Sequence, residues 1–196
     1  MTLRLLHRPN SRSARVRWLL EDIGAPYELV PVSDEEKASE EYRSRHPLGR
    51  VPVLETDEGI VFETLAVCVH LAEQYPEASL LPAPGSFDRA LVFQWISLGL
   101  TEVEPHLGEM RRAEESAPEL AEAARGRARA TVGVLDAALA DREFLVGARF
   151  TLADLLCGSA LFAARRAELV SDAPAVEAYL ARLEGRPARQ RAYAPD

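Results

Sequence analysis

The stretch His46-Pro-Leu-Gly-Arg-Val-Pro-Val-Leu54, followed by Phe62-Glu-Thr-Leu-Ala66, decides how this chain folds. Val51–Glu55 and Ile60–Phe62 are short apolar runs on either side of a turn at Asp57-Glu-Gly59, which predicts a β-hairpin. From Glu63 to Tyr75 apolar side chains occur on several sides (Leu65, Val67, Cys68, Val69, Leu71, Ala72), as expected of a helix buried between two layers. Working back towards the start, Leu3–His7 reads as a buried strand, and Pro9-Asn10-Ser11 punctuates it. Val16, Leu19, Leu20 and Ile23 then recur at helical spacing, and Gly24 closes that helix with Pro26 just beyond. Tyr27–Val32 predicts a second strand, placed at a sheet edge by Pro31, and residues 34–45 are charged and weakly helical. The order over residues 1–77 is therefore β-α-β-α-β-β-α.

Working forward, Pro76–Ser86 carries three prolines and a glycine, which marks residues 78–86 as a linker. Residues 87–196 read as helix throughout, an all-α domain. One stripe is Phe87, Leu91, Trp95 and Leu98, in a helix that Pro105 kinks or ends; a second runs from Leu120 to Leu139. A third runs from Leu152 to Phe162 and a fourth from Val176 to Leu183.

Composition narrows the function. Lys+Arg 23 against Asp+Glu 31 gives a net charge of -8, without the basic footprint that binding to nucleic acid requires. No apolar stretch approaches the ~18–20 residues needed to span a bilayer, and the first ten residues have a short apolar core but lack the apolar h-region and small-residue cleavage site of a signal peptide. Cys68 and Cys157 both fall in apolar helical patterns, which disfavours a disulfide framework or a zinc site. A cytoplasmic protein without a metal is expected.

Three positions carry chemistry. Val51-Pro52 stands at the start of a strand, where proline cannot donate to the ladder; it is either a trans edge-strand proline or a cis peptide that exposes Val51's backbone groups to a ligand. Glu63-Thr64 opens the buried helix, whose N–H groups and partial positive charge attract a carboxylate while Glu63 could take an ammonium; the plain alternative is a capping threonine beside an exposed glutamate. Asn10-Ser11-Arg12-Ser13 precedes the first helix, where a serine either caps or donates to a thiolate and so lowers its pKa.

Taken in order along the chain, these pieces resemble the cytosolic glutathione transferase family, of a bacterial serine- or cysteine-type rather than a tyrosine-type. Further support comes from Arg15-Val-Arg-Trp-Leu-Leu-Glu21 and from Phe144–Asp154, which looks like the family's structural capping box Thr151-x-x-Asp154. The resemblance covers essentially the whole chain. It implies a thioredoxin-like domain over 1–77 and a helical domain over 87–196. Pro52 would be the family's cis-proline, with Val51 bonding the cysteinyl part of glutathione. Glu63 and Thr64 would hold the γ-glutamyl end, and Arg50 would approach the glycyl carboxylate. Ser11 would contact the sulfur, with Asn10 and Ser13 as alternatives.

A small hydrophobic electrophile would lie near Glu104, His106, Leu107 and Met110. The activity implied is detoxifying conjugation. Other outcomes are a binding or regulatory protein on the same fold, or a glutathione-dependent isomerase, although Arg12 stands where the zeta-class isomerases have cysteine. Apolar residues around much of helices 63–75 and 87–104 predict an exposed patch, and the resemblance implies a two-fold homodimer.

Overall fold

The computed structural model describes residues 2–194, which form two compact units: residues up to Ser79 together with those from Arg186 on, and Leu80–Gly185.

In the first unit, strands β1 (Arg4–His7), β2 (Glu28–Pro31), β3 (Val53–Thr56) and β4 (Gly59–Phe62) form one sheet in the order β2-β1-β3-β4. β1 runs parallel to β2 and antiparallel to β3, and β3–β4 is the expected hairpin. Thr56 Oγ1 accepts the N–H groups of Glu58 and Gly59 and so closes its turn. Pro31 lies in the edge strand β2, as its missing donor requires.

Helices α1 (Ser13–Ile23), α2 (Asp34–Ala38), α3 (Glu40–Arg45) and α4 (Thr64–Gln74) complete the expected order, except that the weakly helical segment is two short helices. Ser33 and Ser39 cap them in succession, and Ser39's extended backbone separates them. Gly24 adopts the left-handed conformation at the end of α1 (φ 67°). Because side chains alternate along a strand, Leu6 and Val53 bury one sheet face with Val32 and Tyr42. Leu5 and Leu54 take the other face, and Val16, Leu19 and Leu20 of α1 and Val67, Cys68 and Leu71 of α4 are fully buried.

A last helix, α10 (Pro187–Ala192), also belongs to this unit, whereas the sequence reading carried the helical domain through to residue 196. The physical reason is local. Arg186 pairs with Asp22 at 2.6 Å and Arg191 with Glu21 at 2.6 Å, while Arg189 lies over the rings of Trp18 and Tyr193. Apart from Tyr193, four residues on from Arg189, none of those partners is within reach of a sequence pattern.

The second unit contains α5 (Phe87–Leu98), α6 (Glu104–Ala113), α7 (Pro118–Leu139), α8 (Leu152–Arg166) and α9 (Pro174–Glu184). The single helix expected over 87–104 is broken by a π turn, Gly99–Val103. Proline removes a donor and its ring crowds the carbonyl four residues back, so the wider turn lets Glu104 N–H reach Gly99 C=O and leaves Pro105 in the first turn of α6. α8 is the buried axis. Gly99 of the π turn packs closely on it: a Cβ there would lie 3.1 Å from Cys157 Cα, tighter than ordinary contact.

The capping box forms as expected. Asp154 accepts Thr151 N–H at 2.8 Å, Leu145 N–H at 2.9 Å and Tyr179 O–H at 3.0 Å. Burial raises its carboxyl pKa, and these bonds pull it back. Replacing Asp154 with alanine strands these donors and the Thr151 O–H, four in all, so a loss of about 3 kcal/mol and a fall in Tm of roughly 6–12 °C are expected by thermal denaturation. An unchanged Tm would contradict the role assigned to this cap.

Candidate active site

Strand register brings the three chemical positions to one end of the sheet. Leu6 pairs with Val53 and Val53 with Phe62. One residue further on, His7, Pro52 and Glu63 therefore occupy successive positions across β1, β3 and β4, with the Asn10–Ser13 loop leaving from the same end.

The loop before β3 is tightly built. His46 Nδ1 accepts Leu48 N–H at 3.2 Å, and Gly49 N–H donates to His46 C=O at 2.8 Å. Gly49 has φ 59°, and a Cβ there would sit 2.5 Å from the Lys37 carbonyl, so only glycine fits. Tyr42, buried in α3, donates its hydroxyl to Arg50 C=O at 2.9 Å, while the Arg50 side chain is exposed. The Val51–Pro52 bond is cis.

Glu63 precedes α4 with φ 70°, a left-handed conformation that is uncommon for a residue with a side chain. It makes no side-chain cap, and Thr64 is the first helical residue rather than the cap. The first intrahelical bond is Val67 N–H to Glu63 C=O at 3.0 Å, so the N–H groups of residues 64–66 are not used by the helix ladder. The His46 ring packs 4.9 Å from that of Phe62 and feels the charges of Glu63 and Arg50.

At the β1 end, Asn10 is exposed with φ 56°. Ser11 is half-buried, donates to Arg8 C=O at 2.7 Å and accepts Ser13 N–H at 3.3 Å. Ser13 is 0% exposed, and its hydroxyl lies 2.9 Å from His7 Nδ1. Of the three candidates for contact with a ligand, Ser13 is thus the one committed to the interior.

Glu104, His106, Leu107 and Met110 all lie on α6, in the second unit. Leu107 and Met110 are buried in that unit's core. His106 is half-buried among Glu102, Glu109 and Arg127, with Arg127 Nε donating to its Nδ1 at 3.3 Å. Both cysteines are buried and outside any disulfide, and burial pushes the Cys68 thiol up to about 12, which makes it a poor nucleophile. Among the described residues no group of three or more His, Cys, Asp or Glu could hold a metal, and no helix is long and apolar enough to cross a membrane. The sequence reading gave no role to His7, Tyr42 or His46. His46-Pro was in view, but only the fold shows its ring turned back onto its own loop.

With this geometry in hand, comparison with known proteins is informative. The family model for the Glutathione S-transferase, N-terminal domain matches residues 1–73, and that for the Glutathione S-transferase, C-terminal domain matches residues 96–187. The chain belongs to the glutathione S-transferase family. Among solved structures it is similar to a sphingomonad glutathione S-transferase complexed with glutathione, at 28% identity and TM-score 0.85, covering 97% of this chain and 96% of that one. Among curated proteins it is 33% identical over 120 residues to "Elongation factor 1-gamma 3" of Oryza sativa subsp. japonica, covering 59% of this chain and 29% of that protein. It is 28% identical over 159 residues to "Glutathione S-transferase AN1595" of Emericella nidulans, covering 78% of this chain and 59% of that protein. The chain thus spans less than two thirds of the length of either curated relative.

His46 gives this site a pH dependence. Burial lowers its pKa from 6.5, with Glu63 opposing and Arg50 assisting. Between the folded pKa and 6.5 the unfolded chain binds the proton more readily, so the stability contributed by neutral His46 is present above pH 6.5 and lost as pH falls towards the folded pKa. Its ring signals are expected to titrate below 6.5 by NMR. In His46→Asn, whose side-chain oxygen can still accept the Leu48 N–H, the fall in Tm between pH 7.5 and 5.5 should be smaller than in the wild type.

Proposed function

We propose that this glutathione S-transferase family member is a serine-type transferase that binds glutathione at the strand end and presents its thiolate to a small hydrophobic electrophile. One observation carries the reading: three adjacent strands end in a serine-bearing loop, a cis Val51–Pro52 bond and a helix start flanked by Glu63. Groups there suit each part of the tripeptide. The free N–H groups of α4 and Thr64 would take the γ-glutamyl carboxylate, and Glu63 its ammonium. Val51 would bond the cysteinyl backbone and Arg50 the glycyl carboxylate.

Ser11 would then turn its hydroxyl from Arg8 C=O to the sulfur. A donor to the charged form lowers a thiol from about 8.5 towards 6–7, so that much of it is ionised at neutral pH. The thiolate's electron pair forms the new S–C bond while the electrophile's leaving group, or its double bond, accepts the displaced pair. The electrophile would be received by the second unit, where the Glu104–Met110 segment is the candidate.

A second reading rests on the match to elongation factor 1-gamma: a binding platform without turnover. An isomerase, which regenerates glutathione, is a third outcome of the same assay.

Titrating the ultraviolet absorbance of the bound thiolate tests Ser11. The wild type should titrate near 6–7, and Ser11→Ala about one to two pH units higher, since a bond to a charged group is worth roughly 1.5–3 kcal/mol. Identical titrations would reduce Ser11 to a cap. Retention on immobilised glutathione with no activity across a broad electrophile panel would favour the platform.

A homodimer is also proposed. Leu48 (63% exposed), Ile60 and Phe62 in the first unit and Phe87 (77% exposed) in the second are large apolar side chains left in water. Sedimentation at low micromolar protein should give twice 21.6 kDa. A species at the single-chain mass would refute it.

A further inference from the structure

Ser11 does not stand alone. Its Oγ lies 2.7 Å from Ser13 Oγ as well as 2.7 Å from Arg8 C=O, and Ser13 Oγ accepts Arg8 N–H at 3.1 Å and meets His7 Nδ1 at 2.9 Å. Ser13 is 0% exposed and His7 2% exposed, so the Ser13–His7 bond forms out of reach of bulk water, while Ser11 sits at the half-buried margin.

A hydroxyl has one proton and two lone pairs, and that limit fixes what the chain of contacts can do. Ser11 gives its proton to Arg8 C=O. To donate to a sulfur instead, Ser11 must let go of that carbonyl, and its oxygen then has room for two incoming bonds. Ser13 N–H supplies one at 3.3 Å. Ser13 Oγ–H, 2.7 Å away, can supply the other. Ser13 Oγ in turn has two lone pairs, which Arg8 N–H and a proton on His7 Nδ1 would fill. Each hydroxyl's proton and two lone pairs are then used once, with the protons aimed the same way, from His7 through Ser13 and Ser11 to the ligand. Arg8 C=O, which also lies 3.3 Å from Ser13 Oγ, gives up its hydroxyl donor.

We propose that Ser13 and His7 are positioning residues that form a buried hydroxyl relay, directing the Ser11 proton towards the sulfur of bound glutathione. The proposal rests on the reading of Ser11 as the sulfur's donor. Aligned hydrogen bonds polarise one another, more strongly away from water, so a Ser11 that receives from Ser13 is a better donor than one held by the backbone alone. Ser13 and His7 do not touch the substrate.

The test compares two ligands. Glutathione carries the charge that the relay serves, whereas S-methylglutathione fills the same site with an uncharged sulfur. In Ser13→Ala the bound thiol should titrate about half to one pH unit above the wild type, the effect of one ordinary hydrogen bond, while S-methylglutathione affinity stays within about twofold. His7→Phe, which keeps Ser13 but removes the ring nitrogen, should shift the thiol the same way by less, and Ser13→Thr should restore the wild-type titration.

If Ser11→Ala raises the thiol titration but Ser13→Ala and His7→Phe do not, the relay is overturned and the Ser11 reading stands. If Ser11→Ala changes nothing, both fall together. Equal weakening of glutathione and S-methylglutathione in Ser13→Ala would show a purely structural role and would also overturn the relay. Should Ser13→Ala not fold, His7→Phe decides alone, by the same titration.

Discussion

The antiparallel pairing of β1 with β3, in which Leu6 faces Val53, is the contact on which the first unit depends. It sets which side chains face which layer: Leu6 and Val53 go under α3, and Leu5 and Leu54 go to the opposite face. A slip of one residue would exchange those faces and expose both apolar sets, so burial itself locks the register. The same lock has a chemical consequence. Because β1 and β3 run in opposite directions, the end of one strand lies beside the start of the other, and the hairpin brings the end of β4 to the same place. Residues distant in sequence thus meet without any long-range contact of their own.

Around that end the backbone is held by polar bonds rather than by apolar packing. Tyr42 fixes the Arg50 carbonyl, His46 fixes the Leu48 amide, and Gly49 passes under the Lys37 carbonyl at a distance that excludes a side chain. Apolar packing is non-directional, whereas a hydrogen bond constrains both distance and angle, so the loop's own backbone groups are held in fixed positions. The second unit uses the same device once, at Asp154, where one carboxylate collects donors from a loop, a helix start and Tyr179 of α9.

Much of this was legible in advance, for identifiable reasons. The hairpin and the edge strand followed from turn residues and from proline's missing donor, which are local properties. The end of α1 followed from Gly24, and the start of α8 from Thr151 and Asp154. The π turn at Gly99–Val103 was not legible. Pro105 announces a disturbance, but whether the chain kinks, stops or widens depends on what lies alongside, and here that is α8 at Gly99. Nor was the packing of α10 legible: it rests on Arg186, Arg189 and Arg191 meeting Asp22, Trp18 and Glu21, which lie far off in sequence.

By itself the sequence determined the element order, the edge and hairpin strands, and the residue types that could hold a carboxylate, an ammonium and a thiolate, because each of these rests on spacing and backbone chemistry within a few residues. Tertiary structure decided which of those residues meet at one end of the sheet and which are turned into the interior. Asn10, Ser11 and Ser13 are near-equivalent polar residues on paper. Only the path of the chain leaves Asn10 exposed, Ser11 at the half-buried margin, and Ser13 inside against His7. That distinction depends on burial and on partners at hydrogen-bond distance, which the fold creates and which no local pattern encodes.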